Sequence, residues 1–464
     1  MEQKTNLNLK KRGKNPDFQY SKDQELTYKV LSDTRNNVFL SGGAGTGKSF
    51  VLGNYINSVK RKERKWNGGN LYPVLASTGV AAMLIGGRTI HSFFGLGLAR
   101  ENPRFLVEKV CGNKYVSDRI RRTEEMFIDE ISMVPSKIIT VADEICRRLK
   151  GEDGLPFGGI RVITCGDFLQ MPPVTKGSTS PDWAFRCHSW KDSDFTNCVL
   201  NVVHRTGDFE FASILNKIRL GVYDMDVYNM LKSRVIEEDK IDSFEGTRLF
   251  PFRASVRELN LKKLDELPSE EIIFPTQYEG DEKYRDATLR SCPVEEFLVL
   301  KRGALVMIRT NDPGGMFVNG TLAHVIKIIY DGSDKRVIVE LENGEEVTLG
   351  QKEFEYLSGS GNTLGVARNF PLSLAWASTI HKSQGATIDR VCVDLRGSWE
   401  TGQAYVALSR VKSREGLHII GWDDNSISVS EEAVNYYSEI TNHLNDEQFL
   451  EKAFSGGTSE FDSF

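Results

Sequence analysis

The stretch NVFLSGGAGTGKSFVL, residues 37–52, joins an apolar run to a glycine-rich loop ending Gly47-Lys48-Ser49, and then to a helical pattern with Val51, Leu52, Tyr55, Ile56 and Val59 apolar. It matches every fixed position of the pattern G-x-x-x-x-G-K-[ST], between a predicted strand and a predicted helix, which is the context that pattern requires. A loop that wraps a polyphosphate with backbone N–H groups needs glycines where side chains would block the approach. Lys48 brings a charge to the β- and γ-phosphates, Ser49 a hydroxyl for Mg²⁺, and the helix start favours the anion. The reading is a nucleoside triphosphate site.

The 464 residues suffice for two or three domains, and 40% hydrophobic with 27% charged residues describes an ordinary globular composition. No apolar run approaches the roughly 20 residues that span a bilayer, and the polar N-terminus MEQKTNLNLKKRGKN lacks the apolar centre of a secretory signal. An intracellular protein is expected, cytoplasmic or nucleoid-associated if the source is bacterial or viral. Seven scattered cysteines without a C-x-x-C pair suggest neither a disulfide framework nor zinc. A net charge of −5 argues against a uniformly basic nucleic-acid coat but leaves room for a local basic channel. The basic clusters at Lys10-Lys11-Arg12, at 60–65 and at Arg119, Arg121 and Arg122 read as solvated faces.

Along the chain, strand-like VFLSG, YPVLAST, MFIDE and RVITCGD alternate with helical patterns, the mark of a parallel sheet covered by helices. A second set at 247–253, 373–379 and 390–395 predicts a second α/β lobe. Between about 304 and 356 the pattern becomes alternating and β-branched, with turn signals at Asp331-Gly332 and Asn343-Gly344, which predicts a small antiparallel β-barrel inserted in that lobe. Residues 1–20 and 441–464 are expected to be loose ends.

Two further segments carry chemistry. Met126-Phe127-Ile128 ends in Asp129-Glu130, so a buried strand would deliver one carboxylate to Mg²⁺ and the other to the attacking water. Gly166-Asp167-Phe168-Leu169-Gln170-Met171-Pro172-Pro173 follows another apolar run, and its carboxamide could donate to a γ-phosphate from a turn stiffened by proline.

These segments form an ordered set: LSGGAGTGKS, ASTGVAAMLIGGRTIHSFFGLG (76–97), FIDEISM (127–133), PFGGIRVITCGDFLQMPPV (156–174), ASTIHKSQGATIDRV (377–391) and GQAYVALSRVK (402–412). From about Ser21 to Gly421 the chain resembles superfamily 1 helicases of the RecD-like 5′-to-3′ subclass, within them the petite-integration-frequency family. The stretch from Asp143 to Ile160 resembles that family's own signature segment. The resemblance implies two tandem RecA-like P-loop domains, 21–200 and 201–303 with 357–440, an SH3-like β-barrel at 304–356, and a wedge-like insertion at about 98–122.

It also implies residue roles. Gln24, in YSKDQ, would read adenine, which makes ATP the fuel. Gly43, Gly45, Thr46, Gly47, Lys48, Ser49, Asp129, Gln384 and Gly385 would hold the nucleotide, with Mg²⁺ on Ser49 and Asp129. Lys48, Glu130, Gln170, Arg205 and Arg410 would act on the transferred phosphoryl. Both arginines would come from the second lobe; where the family has Arg-Gln, this chain has Arg205-Thr206. Single-stranded DNA would lie on Thr78, His91, Phe93 and Phe94 of the first lobe and on His381 and Lys382 of the second, hydroxyls and cations on phosphates and rings on bases. If Phe93 and Phe94 lie on a strand, only one can face the groove.

The implied activity is an ATP- and Mg²⁺-dependent 5′-to-3′ DNA helicase in replication, recombination, repair or telomere maintenance. Its substrates would be single-stranded, forked or G-quadruplex DNA, and it would act as a monomer. Two alternatives stay open at this level: a translocase that displaces bound proteins without efficient unwinding, and a slow ATP-switched binding module.

Overall fold

The computed structural model describes residues 20–442 except 66–70, 98, 100, 174–179, 293, 313–315, 318, 332–333, 358–362 and 424. Residues 1–19 and 443–464 of the expected loose ends, with the Lys10-Lys11-Arg12 cluster, and Gly332 of the first expected turn lie outside the described residues.

The first lobe is built on six parallel strands: β1 Val38–Gly42, β2 Val74–Ala76, β3 Arg88–Thr89, β4 Glu125–Asp129, β5 Arg161–Cys165 and β6 Thr196–Leu200. Their spatial order is β3-β2-β4-β5-β1-β6, with Val38 facing Ile163 on one side and Thr196 on the other. Every residue of β1, β4 and β5 is buried, because helices cover both faces. Alternation sorts the side chains: Val38, Leu40, Phe127 and Ile163 enter the core under the helices Lys22–Asp33 and Lys48–Lys65. Phe39, Met126, Ile128 and Val162 enter the core on the other face, beneath Ser136–Lys150.

The expected insertion between 98 and 122 folds as two short helices, Pro103–Cys111 and Lys114–Arg122, capped by Asn102 and Asn113. Their buried Leu106, Val107, Val110, Val116 and Ile120 join the first-lobe core, while Phe105 and Tyr115 face out. Arg119 departs from the expected solvated face. It is buried, donates to the Ser92 and Phe93 carbonyls, and lies 4.9 Å from the Phe93 ring centre.

The second lobe has a four-stranded parallel sheet in the order Ala377–Thr379, Thr247–Phe250, Val391–Asp394 and Leu417–Gly421. The antiparallel region is wider than 304–356. Five strands, Glu346–Gly350, Asp334–Leu341, Leu322–Asp331, Leu305–Ile308 and Leu372–Leu374, hydrogen-bond in that open order. A three-stranded sheet recruits Gln277–Gly280, and a two-stranded one pairs Ile272–Pro275 with Phe297–Leu300. The run 373–379 therefore serves two sheets, its start antiparallel and its end parallel. At the expected Asn343-Gly344 turn, Gly344 takes φ +83° and closes on the Leu341 carbonyl at 2.9 Å. All seven cysteines are free, and no described helix is long and apolar enough to cross a membrane.

The end of the described chain corrects the expected boundary at 440. After the last second-lobe strand, the helix Glu431–Thr441 returns to the first lobe, where Ala433 and Ile440 are buried in its core. Tyr436 stacks on Phe185 at 4.4 Å, and its hydroxyl accepts from Trp190 Nε1 at 2.9 Å. Arg186 pairs with Glu432 on the same face. Replacing Tyr436 by Ala removes a stacked ring and should lower unfolding free energy by about 2–4 kcal/mol. Tyr436→Phe, which orphans the indole N–H, should cost about 1 kcal/mol. Urea denaturation checks both; an unchanged Ala variant would mean the helix is not seated.

Candidate functional site

The P-loop opens at the carboxyl end of β1. Gly45 and Gly47 have φ +80° and +86°, and added Cβ atoms would fall 2.5 Å from Arg205 Cβ and 2.4 Å from Gln24 Nε2. Glycine is required there by conformation and by neighbours alike. Lys48 Nζ donates to the Gly42 and Gly43 carbonyls at 2.8 and 3.0 Å, and Thr46 Oγ1 donates to the Gly43 carbonyl at 2.9 Å. Gln24 is buried and donates to the Thr46 carbonyl at 3.0 Å, so it is built into the loop's outer wall. Ser49 is exposed beside it.

At the end of β4, Asp129 is buried and accepts from the Glu130 backbone N–H at 2.9 Å. Glu130 sits in the left-handed region, φ 52° and ψ 47°, uncommon for a residue with a side chain. Burial raises the pKa of Asp129; burial and then the Asp129 charge raise that of Glu130. Lys48 opposes both shifts. A buried carboxylate in this state, on a strand separated from the P-loop strand by β5 alone, suits an incoming cation, so Ser49 and Asp129 fit Mg²⁺.

Second-lobe groups complete the cleft. Gln384 donates to Glu130 Oε2 at 3.1 Å, and Gly385 has φ +78° with its Cβ position 3.8 Å from Glu130 Oε1. Tyr405 OH accepts from the Ala44 N–H at 2.6 Å, reaching the P-loop from the opposite lobe. Arg205 lies in the connection after β6 and not within the second sheet. Its backbone N–H donates to the Gly45 carbonyl at 3.2 Å, and its Nη1 to the Ser409 carbonyl at 2.6 Å. Arg410 is buried, and its acceptors among the described residues are all neutral: the Val406, Ser383 and Ala386 carbonyls and Ser409 Oγ. Burial, then the Arg205 charge, push its pKa down to about 9 against the opposing pull of Tyr405 and Glu130. Two guanidiniums thus crowd one cleft.

Gln170 is buried and donates to Asp167 Oδ2 at 3.3 Å. Asp167 is fixed by a bidentate pair with Arg219 at 2.8 and 2.9 Å, both side chains at most 2% exposed. Neither Asp167, Arg219 nor Tyr405 stood among the sequence-derived candidates. Tyr405 and Asp167 lie inside the quoted motifs, whereas Arg219 carries no local pattern.

The expected strand-binding residues are dispersed. Thr78 caps the helix Gly79–Leu84 by accepting from the Ala81 N–H at 3.2 Å. His91 is half-buried, and burial holds its pKa below the ordinary value. Phe93 and Phe94 overturn the stacking expectation: they lie on the helix Ile90–Phe94, not on a strand, and are 3% and 0% exposed in a T-shaped pair within the core. Neither ring is available to a base. Lys382 is exposed, and His381 is half-buried with its Nε2 2.7 Å from Glu400 Oε2.

The sequence model of PIF1-like helicases matches residues 19–227. The chain is 40% identical over 404 residues to the ATP-dependent DNA helicase Pif1 of Bdellovibrio bacteriovorus, covering 87% of this chain and 88% of that one. It is 32% identical to the ATP-dependent DNA helicase PIF1 of Emericella nidulans over 91% of this chain, and spans 63% of that longer relative. Among solved structures, the Pif1 helicase of Candida albicans superposes with a TM-score of 0.76 at 32% identity, covering 91% of this chain and 100% of that one. The Bacteroides Pif1 helicase in complex with ADP-AlF3 and single-stranded DNA gives 0.64 at 28% identity, with 92% and 98% covered.

Burial opposes ionisation of Asp167, but the Arg219 guanidinium outweighs it and holds the carboxyl below its ordinary 3.8. The pair therefore contributes stability above that pH, lost as pH falls through the lower folded value. Arg219→Leu strands a buried carboxylate and should cost about 3–5 kcal/mol at neutral pH. Because the orphaned carboxyl then prefers its proton, the variant should also lose the acid-side decline due to this group. Urea titrations across pH test both; a neutral-pH loss below about 1 kcal/mol would contradict the pairing.

Proposed function

The chain belongs to the PIF1-like helicase family, and on that premise we propose that it is an ATP-dependent DNA helicase that moves 5′-to-3′ on single-stranded DNA and separates forked duplexes. The observation that carries the reading is Arg410, a buried guanidinium among neutral acceptors, crowded by Arg205 beside a P-loop from the other lobe. A cation so placed is destabilised until an anion arrives, and a triphosphate on the loop amides supplies that anion.

In this reading the loop amides and Lys48 hold the β- and γ-phosphates, Gln24 closes the adenine side, and Ser49 with Asp129 would hold Mg²⁺. Mg²⁺, when bound, neutralises phosphate charge and fixes the phosphate geometry. Glu130, aimed by Gln384 from the second lobe, orients the attacking water. Gln170 and the two arginines stabilise the charge that develops on the transferred phosphoryl. Since Gln384 and Tyr405 bond to the first lobe's acidic strand end and nucleotide loop, hydrolysis is coupled to lobe separation.

Thr78, His91 and Lys382 are assigned to the tracking strand. The helix pair 103–122, with exposed Phe105 and Tyr115, is assigned to the wedge, where each base-pair step costs on average about 1.4 kcal/mol of stacking. The antiparallel insertion is read as an SH3-like brace for that strand. G-quadruplex DNA as a substrate and action as a monomer extend the same reading on family resemblance.

Steady-state ATPase with and without a single-stranded oligonucleotide tests it. Strong stimulation is expected, weakening with salt as phosphate contacts do. It should be abolished in Glu130→Gln and reduced about 10³-fold or more in Arg410→Ala. Turnover indifferent to DNA would leave the ATP-switched module in its place.

A further inference from the structure

The rings expected to stack on bases are buried, and other rings stand exposed at the edge of the second-lobe sheet. Its strands are parallel, so their carboxyl ends share one edge, the usual ligand edge of an open α/β sheet. Thr247–Phe250 leads there into Phe252 and Arg253, Ala377–Thr379 into His381 and Lys382, and Val391–Asp394 into Gly397 and Trp399.

Trp399 is 60% exposed and Phe252 is 50% exposed. The Trp399 ring lies against the His381 imidazole, centroids 6.1 Å apart and planes 23° from parallel. His381 is itself pinned by Glu400 at 2.7 Å, and the Trp399 backbone N–H donates to Oε1 of the fully buried Gln403 at 3.2 Å. The indole is thus backed on one side, on a backbone that is anchored beneath it. Phe252 borders the same loop, 3.7 Å from the Cβ position of Gly397, which has φ +68°.

Cations flank the rings. Arg253 and Lys382 are exposed, and neither makes an ion pair among the described residues. Burial of its stem lowers the pKa of Lys382, Glu295 opposes that shift, and the Arg309 and Arg253 charges add to it. Exposed, pre-oriented rings beside unpaired cations are what a single-stranded nucleic acid needs: π-faces for bases and charge for the backbone.

We infer that Trp399, backed by His381, and Phe252 form a base-stacking platform for single-stranded DNA on the second lobe, with Arg253 and Lys382 on its phosphates. The inference rests on the helicase reading and deepens it: His381 becomes a positioning residue for Trp399, and the stacking assigned to Phe93 and Phe94 moves to the other lobe.

Fluorescence anisotropy with two labelled strands of equal length, one poly-dT and one fully abasic, tests it. The parent should bind poly-dT more tightly than the abasic strand, because only the first offers rings. Trp399→Ala should erase most of that difference, weakening poly-dT about fivefold or more while leaving abasic affinity in place, and Trp399→Phe should restore it. Arg253→Ala should weaken both strands alike and reduce the salt slope by about one. Equal losses on both strands in Trp399→Ala, or no loss in Trp399→Ala and Phe252→Ala, would overturn the platform while leaving the helicase reading intact. A parent that binds neither strand would remove the helicase reading itself.

Discussion

The bidentate pair between Asp167 and Arg219 is the constraint on which the arrangement of the lobes depends. Asp167 leaves the end of β5 in the first lobe, and Arg219 ends the helix Phe209–Arg219 that begins the second. The guanidinium also lies 4.4 Å from the Tyr437 ring centre on the returning C-terminal helix. Three separate lengths of chain thus converge on one desolvated contact. Such a pair is poor evidence of net stabilisation, because desolvation offsets much of the attraction. Its value is in register: the same Asp167 holds Gln170, and Arg219 Cδ is 3.8 Å from the Cβ position of Gly43.

Around that pivot the cleft is assembled from both sides. Ala44 on the P-loop gives its N–H to Tyr405, Glu130 receives the Gln384 amide, and Arg205 spans from Gly45 to Ser409. Gly402, φ +76°, passes so close to Gln170 that a Cβ would fall 2.7 Å from its carbonyl. The nucleotide site is therefore a property of lobe contact, and each of these bonds changes when the lobes part. Raised carboxylate pKa values and a lowered arginine pKa in one cleft describe a site whose charges await their ligands.

What the sequence made legible follows from range. The P-loop, the acid-ended β4 and the Asn343-Gly344 turn each depend on a few adjacent residues whose backbone demands are local, and their expected elements appear in place. The fates of Phe93, Phe94, Arg119 and Trp399 depend on what packs over them from distant segments. Phe93 and Phe94 sit in a motif that could be strand or helix, and the helices 103–122 bury them. Arg119 reads as one more charge in a basic run, yet it satisfies two carbonyls of the helix Ile90–Phe94. Arg219 meets Asp167 across 52 residues, beyond any pattern visible in either neighbourhood. The antiparallel region exceeds its visible pattern for a related reason: strands such as Ile272–Pro275 and Leu372–Leu374 are short, and only their partners identify them.

The return of the helix Glu431–Thr441 to the first lobe bears on synthesis. Residues 20–200 emerge from the ribosome long before Ala433, Tyr436 and Ile440, which cover Phe39, Phe168 and Trp190. At about 5–20 residues per second, the interval is on the order of 10–50 s. During that time the aromatic face of the nascent first lobe is left uncovered, a surface suited to capture by chaperones until the last helix arrives.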